Sequence, residues 1–208
     1  MKRGLALLAA ALVSGALATA CGDGENGAQP APSPSPAVEE PTATPVPEPS
    51  VDCSAAGLPE TPDEQPGLPD AVEQLRRDIV AAAVACDYDR LESLALQSGL
   101  TFNYSFDEPE GGRPGAFWRQ NEEQGGEDLA TLVRVLNLDY GEIDAGLYGW
   151  PFAQALDLLN LSDEDQAALD ALLSENGDIA AWQDGVGYTG YRAGITAGGD
   201  WTFFVAGD

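Results

Sequence analysis

Three consecutive stretches near the C-terminus decide the fold: 188–195 (YTGYRAGI), 196–200 (TAGGD) and 201–206 (WTFFVA). The first and third are rich in aromatic and β-prone residues, which are typical of strands. The middle stretch has the glycines and the aspartate of a turn. Together they predict an antiparallel β-hairpin. Gly190 and Gly194 leave room in it for bulky neighbours or a close backbone approach.

Upstream of the hairpin, apolar residues recur at helical spacing. This spacing predicts helices over 70–86, 88–97, 116–124, 127–138, 151–160 and 163–174. Asp70 with Glu73, and Ser162 with Asp165, have the spacing of a capping box at a helix start. In the helix over 151–160, the same spacing places Leu159 on the buried face.

Two short strands are predicted between the helices. Residues 101–106 (TFNYSF) alternate, with Phe102, Tyr104 and Phe106 on one face, and 147–150 (LYGW) form the second strand. Helices, a strand, more helices and a late hairpin indicate an α+β fold. We therefore expect several helices packed on a small antiparallel sheet that ends in the C-terminal β-hairpin.

The N-terminus has the pattern of an export signal. Two basic residues precede the apolar run 5–20 (LALLAAALVSGALATA), which is short for a membrane span and typical of a signal peptide. The run ends in LATAC at 17–21, which resembles a bacterial lipobox, although Ala18 stands where Leu or Val is more usual. We predict a lipoprotein signal peptide over 1–20 and lipidation of Cys21. A plain secretory signal, which would leave Cys21 free, is the alternative.

A proline-rich segment follows Cys21. Residues 22–50 contain eight of the fifteen prolines and almost no large apolar side chains. Such a composition does not form a core, so 21–50 is predicted to be a disordered tether. In polyproline II conformation it would hold the domain up to roughly 90 Å from the bilayer. The rest of the chain, 51–208, is then a single globular α+β domain.

The three cysteines agree with export. If Cys21 carries lipid, Cys53 and Cys86 remain as a pair, and disulfides persist outside the cytoplasm. Closing the loop between them would stabilise the domain by about 3–4 kcal/mol in the chain-entropy model. Two buried thiols are the alternative.

Composition excludes several classes of chemistry. The chain has no histidine, its only lysine is Lys2, and its formal net charge is −26. A Ser-His-Asp or Cys-His nucleophile, histidine-ligated zinc, and a Schiff base in the mature chain are therefore excluded. Nucleic acid would be repelled. The acidity favours solubility, and a surface for cations or a basic partner is the alternative.

The acidic clusters have a simple interpretation. Residues 122–123, 127–128 and 163–165 lie on helix faces or first turns, where they favour the helix dipole and solvation. Residues 139–144 (DYGEID) and 175–178 (ENGD) resemble calcium ligands in composition, without EF-hand spacing. We therefore expect no metal site and no cofactor.

Arg192 is the one cation in the hairpin. A half-buried arginine needs a carboxylate partner, so an ion pair on the sheet face is expected. The alternative is an anchor for an anionic or polar ligand in a pocket lined by Tyr104, Trp118, Tyr148 or Trp150. Those aromatic side chains are otherwise plain core.

Residues 51–208 resemble a family of uncharacterised exported lipoproteins from high-GC bacteria. The resemblance is carried by Cys53-Ser54 with Leu58-Pro59, AAAVACDYDRL at 81–91, FNYSF at 102–106, YGWP at 148–151, and 188–208. It implies an exported address and a fold, and no activity. A helix with DYDRL at 87–91, then a strand and a late hairpin, is also similar to the ketosteroid-isomerase-like cone fold.

These observations favour a membrane-anchored extracytoplasmic lipoprotein with a non-enzymatic binding or scaffold domain. It would touch the membrane through its lipid only, bind no nucleic acid, and take an envelope protein or a small ligand as partner. The alternative is a small-ligand carrier or enzyme of cone-fold type that uses a carboxylate and Arg192. A third hypothesis is a carboxylate-based wall hydrolase, which needs two carboxylates facing one cleft.

Overall fold

The segments that the computed structural model describes are 52–99, 101–104, 112–157 and 159–207. The predicted signal peptide over 1–20, the lipidation of Cys21 and the tether over 21–50 lie outside these segments. None of the helices within them is long and apolar enough to cross a membrane.

The helices of the described segments are α1 (Asp70–Val84), α2 (Tyr88–Leu96), α3 (Pro114–Glu123), α4 (Asp128–Leu136) and α5 (Asp163–Glu175). Helix α4 buries Leu129, Leu132 and Leu136, as its spacing predicts. Helix α5 begins with the predicted capping box of Ser162 and Asp165, which is confirmed. Helix α1 packs against α2 and α4, and α3 packs against the same two helices.

The strands are β1 (Gly141–Asp144), β2 (Leu147–Trp150), β3 (Trp182–Gln183), β4 (Gly187–Tyr188), β5 (Arg192–Thr196) and β6 (Trp201–Val205). Four of them form an antiparallel sheet in the order β1-β2-β5-β6, and β3 pairs with β4 separately. The predicted α+β class and C-terminal hairpin are confirmed. The hairpin's first strand begins at Arg192, because Tyr188 pairs with Trp182 instead.

The position of the Phe203 ring explains why the buried strand β5 carries a glycine at position 194. It lies directly opposite Phe203, and a Cβ on Gly194 would collide with the Phe203 ring. The ring therefore lies flat on the strand, in the room that the sequence predicts.

The core joins the helices to the sheet. Helices α1 and α4 contact β5, and α2 contacts β6. Between them lies an aromatic cluster in which Trp201 stands 4.7 Å from Phe102 and 5.6 Å from Trp118, measured between ring centroids. Trp118 and Trp201 are both buried. Aromatic packing of this kind makes the helix layer and the hairpin one core.

The predicted strand over 101–106 is wrong. Asn103 forms a single parallel bridge with Phe203, in which its N–H donates to Thr202 O and its carbonyl accepts from Phe204 N. The predicted alternation is present, since Phe102 and Tyr104 are buried and Asn103 is exposed. Alternation therefore indicates a half-buried extended segment. To form a strand, such a segment also needs a neighbouring strand with which it makes continuous backbone hydrogen bonds. Ser105 and Phe106 lie outside the described segments.

The predicted helix over 151–160 is also wrong. A short 3₁₀ turn covers Phe152–Ala155, and the backbone is extended at Leu156. The Asp157 carboxylate then accepts from the backbone N–H of Leu159 at 2.9 Å, a local bond that competes with helical bonding. Leu159 is consequently 90% exposed instead of buried.

The predicted capping box of Asp70 and Glu73 does not form. Helix α1 begins at Asp70 itself, and the carbonyl of Pro69 accepts its first backbone bonds. The Glu73 carboxylate instead accepts from Arg76 at 2.9 Å and from Arg77 at 2.8 Å. Two arginines follow Glu73 on the same helix face, so this first-turn acid forms ion pairs instead of a capping box.

Candidate functional site

A cleft of about 690 Å³ lies beside residues 59–66, which precede α1 and which we call the lead-in segment. Its lining residues are Pro59, Thr61, Pro62, Asp63, Glu64, Gln65, Pro66, Arg76, Asn137, Asp139 and Tyr140. We call it the lead-in cleft. One wall is the lead-in segment, the floor includes Arg76 of α1, and the other wall follows the end of α4. Nothing in the sequence analysis predicted it.

The lead-in wall is held by contacts with residues far along the chain. Gln65 donates from Nε2 to the carbonyl of Leu138 at 2.7 Å and accepts from Trp150 Nε1 at 2.8 Å. The Tyr140 hydroxyl donates to the carbonyl of Pro66 at 2.9 Å. These three bonds keep the wall in place, so the cleft is preformed and a ligand would not have to order it.

The floor of the cleft contains a buried ion pair. The Arg76 side chain is 0% exposed, and it donates to Glu73 at 2.9 Å, to the carbonyl of Leu136 at 2.9 Å and to the carbonyl of Asp63. Burial alone would raise the pKa of Glu73, but hydrogen bonds and charge from Arg76 and Arg77 outweigh it, so the pKa is lowered. Arg76 thereby has all its partners inside the floor, and it shares the Glu73 carboxylate with Arg77.

The rim carries polar side chains without protein partners. Thr61, Asp63, Glu64, Asn137 and Asp139 are exposed, and their side chains make no hydrogen bond or ion pair within the described segments. Six arginines of the domain form ion pairs with acids that are not on the rim. They are Arg76, Arg77, Arg90, Arg113, Arg119 and Arg134. The rim is therefore negative, with donors and acceptors that remain available to a ligand.

Arg192 lies at a different and smaller pocket, of about 290 Å³. Gln154, Trp182 and Tyr188 also line it. Arg192 is half-buried and donates to the carbonyl of Gly190 at 3.3 Å. Burial raises the pKa of Tyr188, which the nearby charge of Arg192 partly offsets. A carboxylate partner for Arg192 stays a prediction.

The structure does not bring the four predicted aromatic side chains together beside Arg192. The antiparallel register places Trp150 opposite Ala193 and Tyr148 opposite Ile195. Side chains alternate along a strand, so both aromatic residues lie on the face opposite to Arg192.

The other two aromatic residues of that prediction, Tyr104 and Trp118, belong to the core, with ring centroids 6.4 Å apart. None of the four lines the Arg192 pocket. Trp150 instead supports a wall of the lead-in cleft, because its Nε1 donates a hydrogen bond to Gln65.

One predicted solvent-facing acidic cluster has a structural role. Glu122 is half-buried, and its carboxylate accepts from Ser54 and from the backbone N–H of Leu129. Burial and the charge of Glu122 raise the pKa of neighbouring Asp128, while a bond from Asn121 lowers it. These acids lie at the junction of α3 and α4 and line neither cavity.

The calcium candidates serve as local structure. Glu142 accepts from the N–H of Gly146 and Asp144 from that of Ala145, so both acids close the β1–β2 turn. Asp178 pairs with Arg134 at 2.8 Å. No group of three or more Cys, His, Asp or Glu within the described segments is placed to hold a metal ion.

Comparisons with known proteins give no relative from which a function could be carried over. No protein-family model matches the chain, and no curated protein or solved structure is significantly similar to it. The resemblance to exported lipoproteins stays a prediction. The function has to be argued from the geometry of the cavities and from the N-terminal sequence.

Proposed function

We propose that this chain is a membrane-anchored extracytoplasmic lipoprotein whose folded domain binds a ligand, without catalysis, in the lead-in cleft. The observation that carries the binding role is the preformed cleft with five polar rim side chains that make no hydrogen bond or ion pair with the described part of the chain. Its volume of about 690 Å³ is within the range of small-molecule sites. The carboxyl group of Asp128, whose pKa is raised, is not part of this lining.

The address is supported by the N-terminal sequence. An apolar run over 5–20 precedes Cys21, and the proline-rich segment over 22–50 supplies a spacer before the first described residues. The disulfide between Cys53 and Cys86 is compatible with an oxidising compartment. A ligand-binding domain on a lipid anchor would sample solutes near the membrane surface.

Fractionation of cells that express the Cys21→Ser variant tests the anchor. We expect the wild-type protein in the membrane pellet and the variant in the soluble fraction or the medium, because the serine cannot carry the thioether-linked lipid. Ser14→Ala, a conservative change in the same apolar run, is the matched control and should stay in the pellet. Retention of Cys21→Ser in pellets washed with high salt would refute the anchor.

The Arg192 pocket supports a second candidate function, a carrier of a small anionic or polar ligand. Arg192 lines that cavity of about 290 Å³ together with Gln154 and Tyr188, so a guanidinium, an amide and a phenol are available to a ligand there.

Inorganic phosphate is a suitable probe for this second candidate. If the pocket takes anions, phosphate should shift the backbone amide signals of Thr189 and Gly190 in the wild-type protein, and Arg192→Gln should abolish the shifts. Equal shifts in both proteins would eliminate the Arg192 pocket as an anion site.

A further inference from the structure

We propose that the lead-in cleft binds an organic cation, namely an alkylammonium group carried on an extended chain, as in a linear polyamine. The inference rests on the binding role proposed above for this cleft and adds the chemical class of its ligand. Three observations carry it: the charge of the rim, the apolar surface of the walls, and the hydrogen bonds that hold the lead-in wall in place.

The charge of the cleft selects a cation. Asp63, Glu64 and Asp139 place three carboxylates on its lining, and Arg76 is the one cationic residue among the lining residues. Glu73 pairs with Arg76 at 2.9 Å, so the one cationic residue of the lining already has a carboxylate partner that is not one of the rim acids. Ammonium groups form charge-assisted hydrogen bonds with carboxylates. The formal charge of −26 adds a field that attracts cations and repels anions.

The walls favour an organic cation over a bare metal ion. The rings of Pro59, Pro62 and Pro66 and the aromatic ring of Tyr140 offer apolar surface between the polar groups. An alkyl chain can lie on such surface while its ends reach the carboxylates. A divalent cation instead needs several oxygen ligands converging within about 2.0–2.6 Å. In the described parts of the domain, no set of three or more acidic side chains converges in that way.

The preformed wall explains how a weak set of contacts becomes a site. Gln65 fixes the lead-in wall to Trp150 and Leu138, and Tyr140 fixes it to Pro66. A flexible polyamine loses conformational freedom when it binds, so a rigid receptor keeps the total ordering cost low. Thr61 and Asn137 add uncharged acceptors on opposite walls of the same cleft.

Two sources could supply this chemistry: a free polyamine, or lysine side chains of a short peptide. Calorimetric titration of the purified full chain in detergent, with its disulfide formed, uses spermidine and trilysine as separate probes. Binding of spermidine alone assigns a free polyamine, and tighter binding of trilysine assigns lysine side chains. If neither binds, or if only Mg²⁺ does, the proposal is overturned.

Charge-matched variants separate the cleft from general acidity. The cleft variant is Asp63→Asn with Glu64→Gln and Asp139→Asn. The control is Asp163→Asn with Glu164→Gln and Asp184→Asn, whose exposed acids lie outside the cleft and change the net charge equally. We expect the spermidine Kd to rise about tenfold in the cleft variant and less than about twofold in the control. Equal losses in the two variants would refute the site.

Amide chemical shifts of the wild-type chain provide a test that does not depend on variants. Spermidine should shift the signals of Thr61, of 63–65 and of 137–140, and shifts spread over α5 to the same extent would overturn the proposal. Both binding measurements use purified protein, so they are independent of the anchor. A soluble Cys21→Ser protein with no spermidine binding would refute the ligand class and leave the address intact.

Discussion

Ser54 and Glu122, 68 residues apart in the chain, jointly cap the N-terminus of helix α4. The Ser54 hydroxyl donates to Glu122 Oε1 at 2.6 Å, and the Ser54 N–H donates to Oε2 at 2.7 Å. The N–H of Leu129 donates to Glu122 Oε1, and that of Ala130 donates to Ser54 Oγ, each at 2.9 Å. Two amides that the helix leaves without internal partners are thus satisfied from outside it.

Replacing Ser54 by alanine should therefore destabilise the domain. The change removes a cap and leaves the N–H of Ala130 and part of the Glu122 carboxylate unsatisfied. We expect a loss of about 1–2 kcal/mol in the free energy of urea unfolding. Ser93→Ala is the control, because exposed Ser93 bonds only to the carbonyl of Asp89 within α2. Equal stability of the two variants would show that the cap is unimportant.

The disulfide between Cys53 and Cys86 should be a major source of stability. The two cysteines are 33 residues apart in sequence, and their Cα atoms lie 5.7 Å apart. In a Cys21→Ser background, the double change Cys53→Ala with Cys86→Ala should cost about 3–4 kcal/mol in urea unfolding. Reductant should destabilise the parent and leave the double variant unchanged. Two alkylatable thiols in the native oxidised parent would contradict the bridge.

Arg76 and Arg77 offer a matched test of burial, because both pair with Glu73. The Arg76 side chain is 0% exposed and that of Arg77 is 40% exposed. Arg76→Met strands two carbonyls and should cost about 3–5 kcal/mol. Arg77→Met removes an exposed pair and should cost at most about 1 kcal/mol. Denaturant titration of both variants decides the point, and similar losses would mean that burial adds nothing to the pair.

Glu73 should make the domain less stable in acid. Its pKa is lowered from 4.5 in the folded state, so the unfolded chain binds its proton more readily. The stabilisation is present above pH 4.5 and is lost as the pH falls through the lowered value. Glu73→Gln should therefore be less stable than wild type at neutral pH, with a gap that narrows below pH 4.5. Urea unfolding across pH measures it, and a constant gap would contradict the assignment.

Asp128 should act in the opposite direction. Its pKa is raised from 3.8, so the folded state holds the proton more tightly, and stability falls as the pH rises through the raised value. Asp128→Asn should gain stability relative to wild type as the pH rises above 3.8. The same urea series measures this difference. A relative loss over that interval would show that helix-dipole or hydrogen-bond interactions of the carboxylate dominate.

The elements that sequence predicted well are those with a local cause. Helix α4 follows from the spacing of Leu129, Leu132 and Leu136, and α5 begins where Ser162 and Asp165 bond to each other. In both cases the residues that cause the structure lie within one or two helical turns of each other. Such patterns can be recognised in the sequence without knowing the surface against which the helix packs.

The wrong predictions involve segments whose partner is distant or whose competing bonds are subtle. Asn103 reaches β6 through a single bridge, so an alternating segment stayed extended without joining the sheet. The spacing of apolar residues predicts a helix that includes Leu159, but the Leu159 N–H donates to the Asp157 carboxylate instead of forming a helical bond. Apolar periodicity reports which side is buried, and it does not report where backbone hydrogen bonds go.

The candidate sites were the least predictable part of the protein. The lead-in cleft joins Asp63 and Glu64 to Asp139, more than seventy positions later, and Gln65 reaches Trp150 across 85 positions. No motif marks such a meeting, because the residues are ordinary and only their convergence is unusual. Proline-rich composition before α1 is the available signal, and such a composition does not indicate a cavity.

The amino-acid sequence by itself determined the chemistry that this protein lacks, its negative charge, and those helices and hairpin strands whose causes are local. Only the tertiary structure decided what these charged side chains do: that Glu122 caps a helix, that Arg76 is buried and paired with Glu73, and that Asp63, Glu64 and Asp139 face one cleft. The reason is physical. Backbone preference acts over a few residues, whereas burial and electrostatic pairing depend on neighbours that only the completed fold brings together.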